Sequence, residues 1–370
     1  MAYAKSNRRD WIKQVTAFGA GSLLMTPALS NGWPVPVSDR GLIKLSSNEN
    51  PYGPSKKAQL ALLKYTGINN RYPFDLVTDL EEALAAKNGL KKSSVLLGAG
   101  SSELLQSLGL WIIYEKLPLT YSSPTFEILP RFIQRLNGEV QAVHMTKHFL
   151  YDMEKILATS SEKPGAVYLV NPNNPTGTKI PKTDLINFCR EVTKHSYLIL
   201  DEAYIEYVSD NESLVTEITY NPKLIVLRTF SKIYGLAGLR MGYLLAHASL
   251  INELKSFCIW GNHSLNAAGI ISAKESLNDQ KFVEESRSNN KAVKELTTNA
   301  LRALNIIPYP SETNFIFFPI PRGIDLRSML ASQNISIGQL KIKSTSYARV
   351  TIGTKNEMNQ FIKHLYNIYN

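Results

Sequence analysis

Lys232 stands where a primary amine could do covalent chemistry. It follows the apolar run Leu224-Ile225-Val226-Leu227 in the segment Arg228-Thr229-Phe230-Ser231-Lys232. Hydroxyls lie one and three residues before it, at Ser231 and Thr229, and Arg240 lies eight residues after it, beyond Gly235 and Gly238. The hydroxyls and the guanidinium suit a phosphate, while the amine is placed to attack an aldehyde. A second segment, Asp201-Glu202-Ala203-Tyr204, directly follows Leu198-Ile199-Leu200. A carboxylate at the mouth of a buried strand is costly unless it meets a cation, and a protonated ring nitrogen is such a partner. A third, Gly98-Ala99-Gly100-Ser101-Ser102-Glu103, feeds the helical stretch Leu104 to Leu108. Its free backbone N–H groups and positive dipole end suit a phosphate. A fourth, Asn171-Pro172-Asn173-Asn174-Pro175-Thr176-Gly177, contains two Asn-Pro steps that fix a turn. Each segment alone has an ordinary structural explanation. A surface lysine near a glycine-rich loop accounts for Lys232, but not for the set.

The elements that must position these residues are legible as short apolar runs. Ser93 to Gly98, Ala166 to Val170, Tyr197 to Leu200 and Leu224 to Leu227 read as strands that end in polar or glycine-rich loops, with helical patterns between them. Such runs suggest parallel strands of an α/β domain. Ligands then bind beyond the carboxyl ends, where the four segments fall. Toward the C-terminus, Asn314 to Phe318 and Ala348 to Ile352 read as strands between helices, which suggests a smaller α+β domain. The expected division is an N-terminal arm over 31–54, a large domain over 55–265 and a small domain over 266–370. A chain of 370 residues is long enough for two cores.

Composition narrows the class. The chain is 44% hydrophobic and 19% charged, as in soluble enzymes. Its net charge of +10 is scattered, with no basic run or aromatic-basic repeat, which argues against nucleic-acid binding and leaves a surface that favours anionic ligands. Cys189 and Cys258 have neither CxxC nor Cys/His spacing, so buried thiols are expected and no metal site. The N-terminus reads as an address. Asn7-Arg8-Arg9-Asp10-Trp11-Ile12-Lys13 resembles a twin-arginine export signal, and the diluted apolar run from Val15 to Leu29 is too short for a stable membrane span. Ala28-Leu29-Ser30 offers small residues for cleavage. Residues 1–30 are therefore expected to direct export to the periplasm; the alternative is an N-terminal arm on a cytoplasmic enzyme.

Taken together, the segments resemble the fold-type I, class I/II aminotransferases that use pyridoxal 5'-phosphate (PLP), in the histidinol-phosphate aminotransferase-like branch. Leu45 to Pro54 and Asn70-Arg71-Tyr72-Pro73 add to the likeness, which runs from about residue 40 to the C-terminus. The resemblance implies an α/β fold: a large domain with a mostly parallel central sheet, plus a smaller α+β domain. It implies that Lys232 binds PLP as a Schiff base and moves a proton once freed, and that Asp201 keeps the pyridine nitrogen protonated. Tyr204 and Asn174 would hydrogen-bond the phenolic oxygen, and Phe126, in Ser123-Pro124-Thr125-Phe126, would stack on the ring. Gly100, Ser101, Thr229, Ser231 and Arg240 would hold the phosphate. Tyr72 would reach it from a neighbouring subunit, which implies a homodimer with shared sites. Arg349 would clamp the substrate carboxylate or, in histidinol-phosphate enzymes, the substrate phosphate, with Tyr52 and Asn174 nearby. The implied reaction moves an amino group between an amino acid or histidinol phosphate and a 2-oxo acid such as 2-oxoglutarate.

One departure bears on the donor. Histidinol-phosphate members usually carry a second arginine in the stretch that reads Ile335-Ser336-Ile337-Gly338-Gln339-Leu340 here, and Gly338 takes its place. Lys341 or Lys343 could supply a point charge but not a planar fork. An aromatic or other amino acid is therefore a donor to weigh beside histidinol phosphate. A decarboxylase or β-eliminating lyase on the same scaffold is the alternative chemistry. A non-catalytic PLP-binding protein is disfavoured by the retention of Asp201, Tyr204, Lys232, Arg240 and Arg349.

Overall fold

Alternating side chains on short, doubly buried strands build the platform for the site. The computed structural model describes residues 41–65, 67, 70–208, 212–258 and 265–369; the expected export signal lies outside them. Strand β1 (Ile43–Leu45) is followed by β2 (Val95–Gly98), β3 (Leu119–Ser123), β4 (Val140–His144), β5 (Ala166–Val170), β6 (Tyr197–Asp201), β7 (Leu224–Thr229) and β8 (Gly242–Ala246). Strands β2 to β8 form one sheet in the order β2-β8-β7-β6-β5-β3-β4. β8 runs antiparallel to both neighbours, and the other adjacent pairs are parallel.

The apolar runs are continuous because both sheet faces are covered. Leu97, Val167, Leu198, Leu200 and Val226 point to one face, where they meet Leu80, Leu84, Leu185 and Phe188 of the flanking helices. Leu96, Tyr168, Ile199, Ile225 and Leu227 point to the other, against Leu104, Leu105 and Trp111. This period of two leaves the last residue of each strand at a common edge. There, Val170, Asp201 and Thr229 open toward one space.

A second sheet contains β1 with β9 (Phe315–Ile320), β10 (Ile335–Ile342) and β11 (Thr345–Thr351), in the order β1-β10-β11-β9. β1 pairs parallel with β10, so residues 43–45 of the expected arm are a strand of the C-terminal sheet. Its own core gathers Leu45, Ile316, Phe318, Ile337, Val350 and Phe361. The described residues from Leu42 onward pack together as one compact unit. Both cysteines are buried and free. No helix among the described residues is long and apolar enough to cross a membrane.

Candidate active site

The carboxyl edge of the larger sheet encloses a cavity of about 300 Å³. Lys232, Asp201, Tyr204, Asn174, Phe126, Ser101, Thr229, Ser231, Arg240 and Arg349 all line it. Residues separated by up to 248 positions in the chain thus share one space, because the strand ends and the hairpin β10–β11 converge there.

At one end the groups suit a phosphate. The Ser231 hydroxyl accepts from Thr229 Oγ1 at 3.0 Å and from Arg240 Nη1 at 3.5 Å. Arg240 Nη1 also donates to the Ala237 carbonyl at 2.9 Å. Ser101 begins the helix Ser101–Tyr114, and its cap residue Gly100 makes no side-chain capping bond. Gly100 itself does not line the cavity but floors the guanidinium. Its φ is +81°, and a Cβ there would lie 2.3 Å from Arg240 Nη2. The turn therefore needs glycine both for its conformation and for this approach.

Deep in the cavity Asp201 is 1% exposed. Its Oδ1 accepts from the Ala203 N–H at 3.0 Å and its Oδ2 from the Tyr168 hydroxyl at 3.2 Å. Among the described residues no cationic side chain lies within ion-pair distance of it. Burial pushes its pKa up to about 6, against the pull of those two donors and of Lys232. The next residue, Glu202, faces away and forms a buried pair with Arg228 at 2.9 Å, tying the ends of β6 and β7 together.

Lys232 Nζ donates to the Ser47 carbonyl at 3.2 Å and lies 5.7 Å from the centre of the Tyr204 ring. Burial, reinforced by the nearby Arg349 charge, lowers its pKa to about 8, so neutral amine is available near physiological pH. Burial raises the Tyr204 phenol to about 12, and its oxygen accepts from Asn48 Nδ2 at 2.8 Å. Asn48 is held in turn by Thr351 at the end of β11.

At the opposite end, Arg349 Nη1 donates to Asn174 Oδ1 at 2.7 Å and Nη2 donates to the Ser46 carbonyl. Its Nε is buried with no partner, and among the described residues no carboxylate pairs with it. Burial lowers its pKa. A guanidinium so placed suits a ligand anion. Gly338 lies directly opposite Arg349 in the hairpin, and a Cβ there would sit 3.4 Å from Arg349 Nε. A larger cavity of about 950 Å³ adjoins, sharing Phe126, Asn174 and Arg349 and lined also by Gly338, Lys341 and Lys343.

Two expected residues, Tyr72 (expected to serve a neighbouring subunit) and Tyr52, lie outside this cavity. Tyr72 is 66% exposed and stacks on Phe74 at 5.7 Å, outside the cavity. Tyr52 follows the bend at Asn50–Gly53 and lines a separate small crevice with Asn50, Tyr207 and Asn290. Conversely, sequence reasoning gave no role to Tyr168, Asn48 or Ser102. Tyr168 did leave a signal, being the one hydroxyl in the otherwise aliphatic run of β5.

Residues 40–365 match the model of aminotransferase class I and II. The chain belongs to that family. It is 34% identical to histidinol-phosphate aminotransferase 1 of Nitrosococcus oceani over 334 residues, 88% of each chain. A crystal structure of an Erwinia carotovora atroseptica protein superposes with a TM-score of 0.84 at 31% identity, covering 88% of this chain and 95% of that one. The histidinol-phosphate aminotransferase of Sinorhizobium meliloti, solved with pyridoxal 5'-phosphate, shares the fold with a TM-score of 0.82 at 24% identity, covering 89% and 90%. This aminotransferase is therefore a PLP enzyme, and its residues fit the group. A fully buried carboxylate lacking a cationic partner suits a ring N–H, and the glycine-floored guanidinium with two hydroxyls suits a phosphate. A lysine of lowered pKa lines the same cavity.

Proposed function

We propose that this aminotransferase takes an amino group from a donor whose α-carboxylate seats on Arg349 and passes it to a 2-oxo acid such as 2-oxoglutarate. One observation carries the reading: Lys232, Asp201 and Arg349 line the same 300 Å³ cavity. The bound cofactor supplies an electron sink for the bond broken at the donor α-carbon. Lys232 Nζ would hold the cofactor and, as a free amine, would take the proton from the donor α-carbon and return it. Asp201 keeps a proton on the ring nitrogen. Tyr204 and Asn174 are assigned to the phenolic oxygen, and Phe126 covers a ring face. Arg240, Ser231, Thr229, the Ser101 N–H and the Gly100 turn hold the phosphate.

Histidinol phosphate is the second reading for the donor. The names of its relatives favour it, as do Lys341 and Lys343 beside the outer cavity. Gly338 weighs against it as sole donor, since losing one charged contact to a phosphate weakens binding by roughly 1.5–3 kcal/mol. The test is a donor panel of histidinol phosphate, phenylalanine, tyrosine and L-glutamate added to the loaded enzyme. The visible band of the cofactor should give way to that of its amine form, with release of the matching oxo product. No change with any donor would refute transamination, and carbon dioxide, or pyruvate with ammonia, would point to a decarboxylase or lyase.

Two further parts belong to the reading. A homodimer would cover the exposed Leu60, Leu63, Tyr65, Tyr72 and Phe74 along residues 60–74 and would bring Tyr72 to the partner's phosphate. The twin-arginine-like segment Asn7–Lys13 would carry the folded enzyme to the periplasm, which cell fractionation reads directly.

A further inference from the structure

Asp201 receives donors on both oxygens, and only one is local. The Ala203 amide is two residues away. The other donor, the Tyr168 hydroxyl, comes from the neighbouring strand at 3.2 Å. Tyr168 is 0% exposed and pairs in register with Ile199, which places its ring alongside the end of β6. A phenylalanine would fill the same space without burying a hydroxyl, so the hydroxyl matters for what it binds. The other groups facing Asp201 are committed elsewhere. Tyr151 donates to the Val170 carbonyl and Glu202 pairs with Arg228, while the Tyr204 oxygen is held by Asn48 Nδ2. Lys232 faces Asp201 as a charge and donates to the Ser47 carbonyl.

We infer that Tyr168 is a positioning residue for the reaction: its hydroxyl orients the Asp201 carboxylate and keeps it ionised, so that Asp201 can hold a proton on the cofactor ring nitrogen. This rests on the role given to Asp201 above. A carboxylate oxygen that accepts a hydrogen bond is a weaker base. Tyr168 can donate throughout the working range, because burial, with the Asp201 charge, pushes its own pKa far upward. Without that donor, Oδ2 would be left bare where burial already favours the neutral acid.

Tyr168→Phe removes the hydroxyl and keeps the ring. Apoprotein of the wild type and the variant is titrated with PLP between about pH 5 and pH 9, and kcat/KM is profiled over the same range. The acid-side midpoint of both should rise in the variant by about one pH unit, the equivalent of one hydrogen bond to a charged group. With cofactor labelled by ¹⁵N in the ring, the resonance at neutral pH should move toward that of neutral pyridine. Placing 3-fluorotyrosine at position 168 keeps a sharper donor, so the midpoint should fall. Tyr151→Phe removes a neighbouring hydroxyl that does not touch Asp201, so it should lower Tm without moving the midpoint. An unmoved midpoint in Tyr168→Phe overturns the inference, as does an equal displacement in Tyr151→Phe. Should Tyr168→Phe not fold, an unmoved midpoint with 3-fluorotyrosine does the same. A wild-type protein that takes up no PLP at any pH would instead remove the role of Asp201 itself, and this inference with it.

Discussion

Gly100→Ala should loosen the cofactor and lower the stability of the apoprotein by roughly 1–3 kcal/mol. Gly100 has φ +81° and ψ 163°, a region essentially closed to residues with a Cβ, and this is the source of that cost to an alanine. The effect on the cofactor is steric. The added Cβ would fall 2.3 Å from Arg240 Nη2 and 2.9 Å from its Cζ, so the guanidinium must move. It is the far end of a flexible side chain, and moving it disturbs little of the core. It does leave the Ser231 hydroxyl, 3.5 Å away, and with it the phosphate site. One charge-assisted contact is worth roughly 1.5–3 kcal/mol, which corresponds to about 10–100-fold in Kd. The assay is titration of apoprotein with PLP, followed by absorbance, alongside thermal unfolding of the apoproteins. Gly238→Ala is the control: a Cβ there meets nothing within 4 Å, and its affinity should match wild type. Equal affinity in Gly100→Ala and wild type would show that Arg240 does not hold the phosphate from this position.

Two further outcomes follow from the same geometry. Burial raises Asp201 from 3.8 to about 6 in the folded apoprotein, so the native state keeps this proton at pH values where the unfolded chain has lost it. That contribution to stability is complete below about pH 4 and is lost as pH rises through 6. Asp201→Asn cannot ionise, so its apoprotein should match wild type near pH 4 and exceed it in Tm above pH 6, while the loaded enzyme loses about 10²–10⁴-fold in kcat. A wild-type apoprotein that is the more stable at pH 7 would contradict this. Gly338→Arg should shift donor preference toward histidinol phosphate by about 10–100-fold in relative kcat/KM, because it sets a second fork beside Arg349. An unchanged ratio in the donor panel would show that position 338 does not choose the donor.

The chemistry around Lys232 was legible because its signals are local. Asp201 directly follows an apolar run, Thr229 and Ser231 fall just beyond another, and a run buried on both faces delivers its last residue to the sheet edge. Gly100 and Arg240 announce themselves by glycine spacing within a few residues. Three of the strands that escaped notice lack such contrast. β10 mixes Ser336, Gly338 and Gln339 into its run, β1 is three residues long, and β3 ends in hydroxyls, so none reads as a continuous apolar strand.

The order of motifs thus came from the chain itself: an amine, an acid and a phosphate turn, each fixed by its immediate neighbours. Tertiary structure alone decided how they are tuned. Asn48 reaches Tyr204 across 156 residues, Arg349 reaches Asn174 across 175, and Tyr168 reaches Asp201 from another strand. It also decided that Tyr52 and Tyr72 lie away from this chain's own cavity. The reason is physical. Strand ends and turns obey short-range rules, whereas hydrogen-bond partners and burial depend on register and crossover, which no local window of sequence contains.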